Sequence, residues 1–156
     1  MEGRLVVLFG EYERTVDYKG RLTVPAHLLV GGETEDWSRA MVVKGEPGCL
    51  FVYDMGTWEG ILREAALRMD DDEVRLFMHR AVHDAHITEV DNLKRISISS
   101  ALLAHATIEK RTIVVGMFNH LELWEPERWS EYLETMDEVP VPTISDLSRT
   151  RIRQVS

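Results

Sequence analysis

A single cysteine, Cys49, stands in this chain of 156 residues. One thiol excludes an internal disulfide and any zinc site built from several cysteines, and it fits a reducing, cytoplasmic setting. Long apolar runs are missing too: nothing approaches the roughly 20 residues that cross a bilayer. Residues 4–9 faintly resemble a signal segment, but the stretch is short and Gly10-Glu11 is a poor cleavage site, so no leader is expected. Enzyme signatures are equally scarce. There is no Gly-x-Ser-x-Gly, no phosphate-binding glycine-rich loop, no dinucleotide fingerprint and no His-Glu-x-x-His. Positive charge is in short supply: 18 Lys and Arg against 27 Asp and Glu leave a net charge of −9. That excludes a general nucleic-acid coat, whose affinity comes from neutralising phosphates. A local basic patch stays open.

What the chain does have is repetition. Asp17 is followed by Arg21, Leu22, Thr23 and Val24, and Asp91 by Arg95, Ile96, Ser97 and Ile98, an offset of 91 − 17 = 74. Val42, Val43 and Gly45 match Ile113, Val114 and Gly116. Leu50 matches Leu121, Trp58 matches Trp129 and Leu62 matches Leu133, an offset of 129 − 58 = 71. Two copies of one small unit explain this better than a solenoid does. A duplicated unit presents its basic turn twice, which suits a repetitive polymer such as DNA.

The elements follow from local chemistry. Residues 9–24 alternate as two strands of a hairpin around Asp17-Tyr18-Lys19-Gly20, with Asp17 and Gly20 shaping the turn. Leu22 and Val24 then face the core by period two. Pro25 opens a short helix that Gly31 and Gly32 end. Residues 40–44 and 49–53 form a second hairpin. Thr57 is the expected N-cap of a helix through Trp58, Ile61, Leu62 and Ala65. One of Asp70 to Asp72 caps another through Val74, Phe77, Met78 and Ala81. The order then restarts: a strand to Asp91, one from Arg95 to Ile98, a short helix near Ser99, strands at 112–116 and 120–124, and a helix opened by Pro126. The expected organisation is a first repeat at 1–82, a second at 83–138, and a flexible tail at 139–156. The repeats pack as one compact α+β unit with a mainly β, barrel-like core and outer helices.

Arg21 and Arg95 are the leading candidates for function. Each guanidinium can fork onto a guanine edge or a phosphate, or turn back onto Asp17 or Asp91 and brace its own turn. Both can hold at once. Arg14 and Lys19 are candidate phosphate contacts that fix register without reading sequence. His79, His83 and His86 would share a face on one continuous helix, but the repeat places a boundary among them, so no metal site is expected. Cys49 enters an apolar strand as a small buried hydrophobe rather than a reactive thiol. Trp58, Trp129 and Tyr132 read as packing residues.

Phe9-Gly10-Glu11-Tyr12-Glu13, Val16-Asp17 and Lys19-Gly20-Arg21-Leu22-Thr23-Val24-Pro25 together resemble the first signature block of the MraZ family, within the AbrB/SpoVT-type DNA-binding superfamily. Asp91 and Arg95 fall where a second block belongs, and the resemblance spans roughly residues 7–136. It implies a double-split β-barrel. It also implies a non-enzymatic, cytoplasmic and nucleoid-associated regulator, usually a repressor of a division and cell-wall gene cluster. Such a regulator binds direct repeats in double-stranded promoter DNA as a ring-like homo-oligomer, with no cofactor, small-molecule substrate or membrane partner. The family's DNA contact carries over to Arg21 and Arg95, with Lys94 beside the second. Lys94 also stands where the first copy has Gly20, so the second turn is expected to differ in shape and Arg95 to matter less. An alternative is an antitoxin of the same superfamily whose tail, with Arg149, Arg151 and Arg153, binds a protein.

Overall fold

A computed structural model describes residues 8–29 and 37–155. The expected helix end at Gly31-Gly32 and the segment before Leu8 lie outside the described residues. The strands are β1 (Leu8–Thr15), β2 (Arg21–Thr23), β3 (Arg39–Gly45), β4 (Cys49–Asp54), β5 (His86–Glu89), β6 (Arg95–Ser97), β7 (Arg111–Phe118) and β8 (His120–Trp124). The helices are α1 (Met55–Arg68), α2 (Asp71–Val82), α3 (Ser100–His105), α4 (Pro126–Met136) and α5 (Ile144–Val155), with a 3-10 turn at Ala26–Leu29. The class is α+β, with an antiparallel β core. Among the described residues no helix is long and apolar enough to cross a membrane.

Six strands form one antiparallel sheet in the order β1-β7-β8-β4-β3-β5, and β2 and β6 form a separate two-stranded ribbon. The hairpins β3–β4 and β7–β8 were expected. The hairpin expected around Asp17 does not form as a ladder. β1 instead pairs with β7, from Leu8↔Phe118 to Thr15↔Arg111, and β2 pairs with β6. The second repeat returns the exchange: β5 pairs with β3, from Arg39↔Glu89 to Val42↔His86. The leading strand of each repeat thus completes the hairpin of the other. Period two states which face a residue takes and is silent about which strand lies beside it. The two halves meet where Leu50 pairs with Leu123 and Val52 with Leu121.

The core lies on one face of this sheet and under the ribbon. Leu22, Ile96, Val42, Leu50, Val114, Leu121 and Leu123 are all at most 1 % exposed. Each fully buried side chain of this size contributes about 1.5–3 kcal/mol. Leu22 and Val24 are buried as expected, and Trp58 and Cys49 also lie inside. Residues through Pro126 make one compact unit that holds all the strands of both repeats, and residues from Glu127 make a second.

The helix caps revise one expectation. Asp54, not Thr57, is the N-cap of α1, and its carboxylate accepts the Thr57 N–H at 3.2 Å and the Thr57 hydroxyl. Asp70 caps α2 in a capping box: it accepts from Glu73 N at 2.8 Å while Glu73 accepts from Asp70 N at 3.1 Å. Ser99 caps α3 through Leu102 N. The segment read as a tail carries α5, opened by Thr143 and Asp146, each accepting the other's N–H at 3.1 and 3.0 Å.

Candidate nucleic-acid interface

The two Asp-x-x-x-Arg turns are built alike. Asp17 Oδ1 accepts from the backbone of Lys19 and of Arg21, both at 2.9 Å, and Oδ2 accepts from Arg21 Nε at 2.8 Å. Asp91 Oδ1 accepts from Leu93 and Arg95, both at 2.9 Å, and Oδ2 accepts from Arg95 Nε at 2.7 Å. Gly20 N donates to Asp17 O at 2.9 Å, and Lys94 N to Asp91 O at 3.0 Å. The turns then lock onto each other's strands: Ile98 N donates to Gly20 O and Val24 N to Lys94 O, each at 2.8 Å.

Lys94 was expected to give the second turn another shape. It does not: Lys94 takes φ 63, beside φ 77 at Gly20, and every hydrogen bond of the first turn has its counterpart. A left-handed non-glycine residue costs roughly 1–2 kcal/mol. The carboxylate of Asp91 and the bond from Val24 hold it there. Both aspartates are kept below the ordinary carboxylate range. The backbone N–H of the following arginine does most of this, and the guanidinium adds to it against partial desolvation.

Each arginine therefore braces its turn, and only one nitrogen is spent on doing so. Among the described residues, no other hydrogen bond engages the guanidinium of Arg21 or Arg95. The alternation of the ribbon decides where they sit. Leu22 and Ile96 pair with each other and face the core, while Arg21 lies opposite Ser97 and Arg95 opposite Thr23 on the outer face. Diagonal neighbours on such a pair stand about 7–8 Å apart. The outer face thus presents two part-buried arginines, 29 % and 28 % exposed in their side chains, with Thr23 and Ser97 between them. Thr23 and Ser97 were not singled out in the sequence, although the same period that buries Leu22 exposes them. A two-stranded ribbon is a shape that B-DNA's major groove admits.

The other sequence candidates divide. Lys19 lies on the first turn, with its ammonium 5.7 Å from the centre of the Tyr18 ring, and Tyr18 is 88 % exposed at the tip. Lys94 lies on the second turn. Arg14 sits on β1, where Nη1 donates to Glu13 O at 2.8 Å and the guanidinium lies over Tyr12 at 5.6 Å. Its side chain is thus turned back onto its own strand. Both carboxylate oxygens of Glu13 accept from one edge of Arg111, Nε at 3.0 Å and Nη2 at 3.1 Å. The three histidines have separate settings: His86 Nε2 meets Ser97 O at 2.8 Å and His83 meets Asp84 at 3.5 Å, while His79 lies on exposed α2. On the sheet, Glu122 bonds His120 at 3.2 Å and Trp124 at 2.8 Å. Burial, with the Glu122 carboxylate nearby, pushes both Cys49 and Tyr53 up to about 12.

The fold and site define a duplicated-turn protein in which two interlaced repeats put matching arginine turns on one β-ribbon. A sequence model for the family described as "MraZ protein, putative antitoxin-like" matches the chain twice, over residues 7–79 and 81–149. "Transcriptional regulator MraZ" of Limosilactobacillus reuteri (strain DSM 20016) is 36% identical over 134 residues, which is 84% of this chain and 91% of that protein. The protein of the same name from Thermoanaerobacter pseudethanolicus is 37% identical, over 84% of this chain and 90% of its own. That of Halothermothrix orenii is 32% identical, over 85% and 90%. The chain belongs to the MraZ family.

Proposed function

We propose that this chain is a transcriptional regulator that binds double-stranded DNA in a sequence-specific way, without catalysis. The observation that carries the reading is the ribbon: Arg21 and Arg95 share one outer face, each held by its own aspartate with donors to spare. Pre-positioning matters because an arginine fixed by Nε loses less freedom when its other edge forks onto a guanine. Lys19 and Lys94 flank the ribbon as phosphate contacts.

The acidity of the chain is compatible with this. Each turn carries two bases and one acid, 2 − 1 = +1, within a chain of net charge −9. Attraction is local, and affinity at a promoter then comes from several copies acting together. The reading therefore includes a homo-oligomer, ring-like in form, on direct repeats upstream of a division and cell-wall gene cluster. Repression is the expected sign, in the cytoplasm at the nucleoid. It also includes a double-split barrel, in which the β2–β6 ribbon bridges the two edges of the six-stranded sheet. A second reading draws on the words "antitoxin-like" in the family's description: the segment from Val139 would bind a protein partner.

The test is substitution. Arg21→Ala should abolish selective binding to promoter DNA while folding and oligomer state persist. Because the turns are alike, Arg95→Ala should cost a comparable amount. Selective binding that survives both changes at moderate salt would remove the ribbon from the account.

A further inference from the structure

The sheet carries a second feature, well away in sequence from the arginine turns. A groove of about 760 Å³ lies between β3–β4 and the α1–α2 pair, floored by Phe51, Tyr53 and Trp58 and walled by Ile61, Leu76 and Phe77. Leu76 is 51 % exposed at its lip, and α2 has no buried residue at all. An apolar surface of this kind, floored by aromatics and left open, marks a docking site. Val43 and Trp58 at its base are buried, while Phe51, Tyr53, Ile61, Leu76 and Phe77 leave the groove open above them.

The chain itself carries a segment that matches the groove. α5 is the repeat counterpart of α2, since 144 − 71 = 73 falls within the 71–74 offset of the two copies. Its apolar positions are out in solvent: Ile144 is 86 % exposed and Leu147 is 62 % exposed, three residues apart on one face. Val139 and Val141, just before it, are exposed as well. Spacing of i and i+3 is how an amphipathic helix anchors in an apolar groove. The charges are opposite. Residues 55–82 carry Glu59, Glu64, Asp70, Asp71, Asp72 and Glu73 against four arginines, 4 − 6 = −2. The α5 sequence carries Arg149, Arg151 and Arg153 against Asp146, 3 − 1 = +2. At the groove itself, Lys44 is taken by Asp84 at 3.2 Å, which leaves Glu46 and Glu73 to face an incoming cation beside Arg80.

We infer that the α1–α2 groove of one copy receives α5 of a second copy. The inference rests on the homo-oligomer part of the proposed function and supplies its contact. The joint is heterologous, groove to helix, so each subunit offers one of each, and a closed series of such joints makes a ring. It also gives the acidic α1–α2 pair and the basic C-terminal helix one shared purpose.

The experiment uses full-length protein. Leu76→Cys and Leu147→Cys are made separately on a Cys49→Ala background, with different affinity tags, then co-expressed and oxidised. A disulfide joining the two differently tagged chains is expected, together with dissociation of Leu147→Asp to a smaller, still folded species in sedimentation. Leu147→Asp that stays oligomeric, with no cross-link between copies, would overturn the inference and leave the homo-oligomer standing. In a third variant that carries Leu76→Cys and Leu147→Cys together, a cross-link that forms only within one chain would overturn it as well. Wild-type protein that sediments as a monomer would remove the homo-oligomer and the joint together. DNA binding by the ribbon would then be judged separately, through Arg21→Ala.

Discussion

Replacing Gly20 with alanine puts the geometry of the first turn to a quantitative test. Gly20 has φ 77, and a Cβ added there would sit 2.5 Å from the carbonyl oxygen of Ile98. That oxygen belongs to backbone, so the strand must move, and the bond from Ile98 N to Gly20 O is the first thing it strains. The left-handed conformation alone costs roughly 1–2 kcal/mol for a residue with a side chain. Loss of the inter-strand bond adds about 1 kcal/mol. The expected total is about 2–3 kcal/mol, offset slightly by the smaller entropy of the unfolded alanine chain. The mirror change is Lys94→Gly, which releases left-handed strain at φ 63. It should be neutral or stabilising by up to about 1 kcal/mol. Urea unfolding of both variants beside the wild type measures the difference. A Gly20→Ala variant within about 0.5 kcal/mol of wild type, an ordinary surface value, would refute the reasoning that the two turns clamp each other's strands. Lys94→Gly should also weaken DNA binding and lower its salt dependence by about one phosphate contact, since it removes a charge from the interface.

Asp54→Ala should cost about 1–2 kcal/mol by uncapping α1, with Thr57→Ala costing less, as thermal unfolding would show; equal losses would return the cap to Thr57. Asp17 and Asp91 both have carboxyls depressed in the folded state. Their contribution to stability is therefore complete above the ordinary Asp value, about 3.9, and lost as pH falls through the lower folded value. A carboxyl-detected NMR titration should find both midpoints below that ordinary value, and midpoints at or above it would contradict the turn hydrogen bonds. Cys49, fully buried and pushed up to about 12, should resist thiol reagents until the protein unfolds. Rapid labelling of native protein would show that the β3–β4 turn opens readily.

The local chemistry of most elements was legible in the chain, and the partners of those elements were not. Asp17 and Gly20 announce a turn, the Asp70–Asp72 run a cap and Pro126 a helix start, because each acts within a few residues. The exchange of β1 and β5 between the repeats depends on contacts far apart in the chain, 115 − 11 = 104 residues for Glu11↔Val115 and 89 − 39 = 50 for Arg39↔Glu89, and no local pattern encodes them. Asp54 was missed as a cap because it closes a strand, so its place in β4 masked its role in α1. At Lys94, propensity pointed to a different turn, and tertiary bonding from Val24 and Asp91 overrode it. The helix after Val139 was hidden by Pro140 and Pro142. Its signal was nevertheless present, since Thr143 and Asp146 stand three apart, the spacing of a capping box. Of the site, the two arginines could be found from the repeat. Their placement on one face of one ribbon required the β2–β6 register.

The central claim is selective DNA binding through that ribbon. Fluorescence-anisotropy titration against duplex DNA from upstream of the protein's own gene, beside a scrambled duplex at two salt concentrations, tests it most directly. Tighter binding to the upstream duplex, weakening as salt rises, is the expected result. A folded oligomer that binds neither duplex, or both alike, would contradict it.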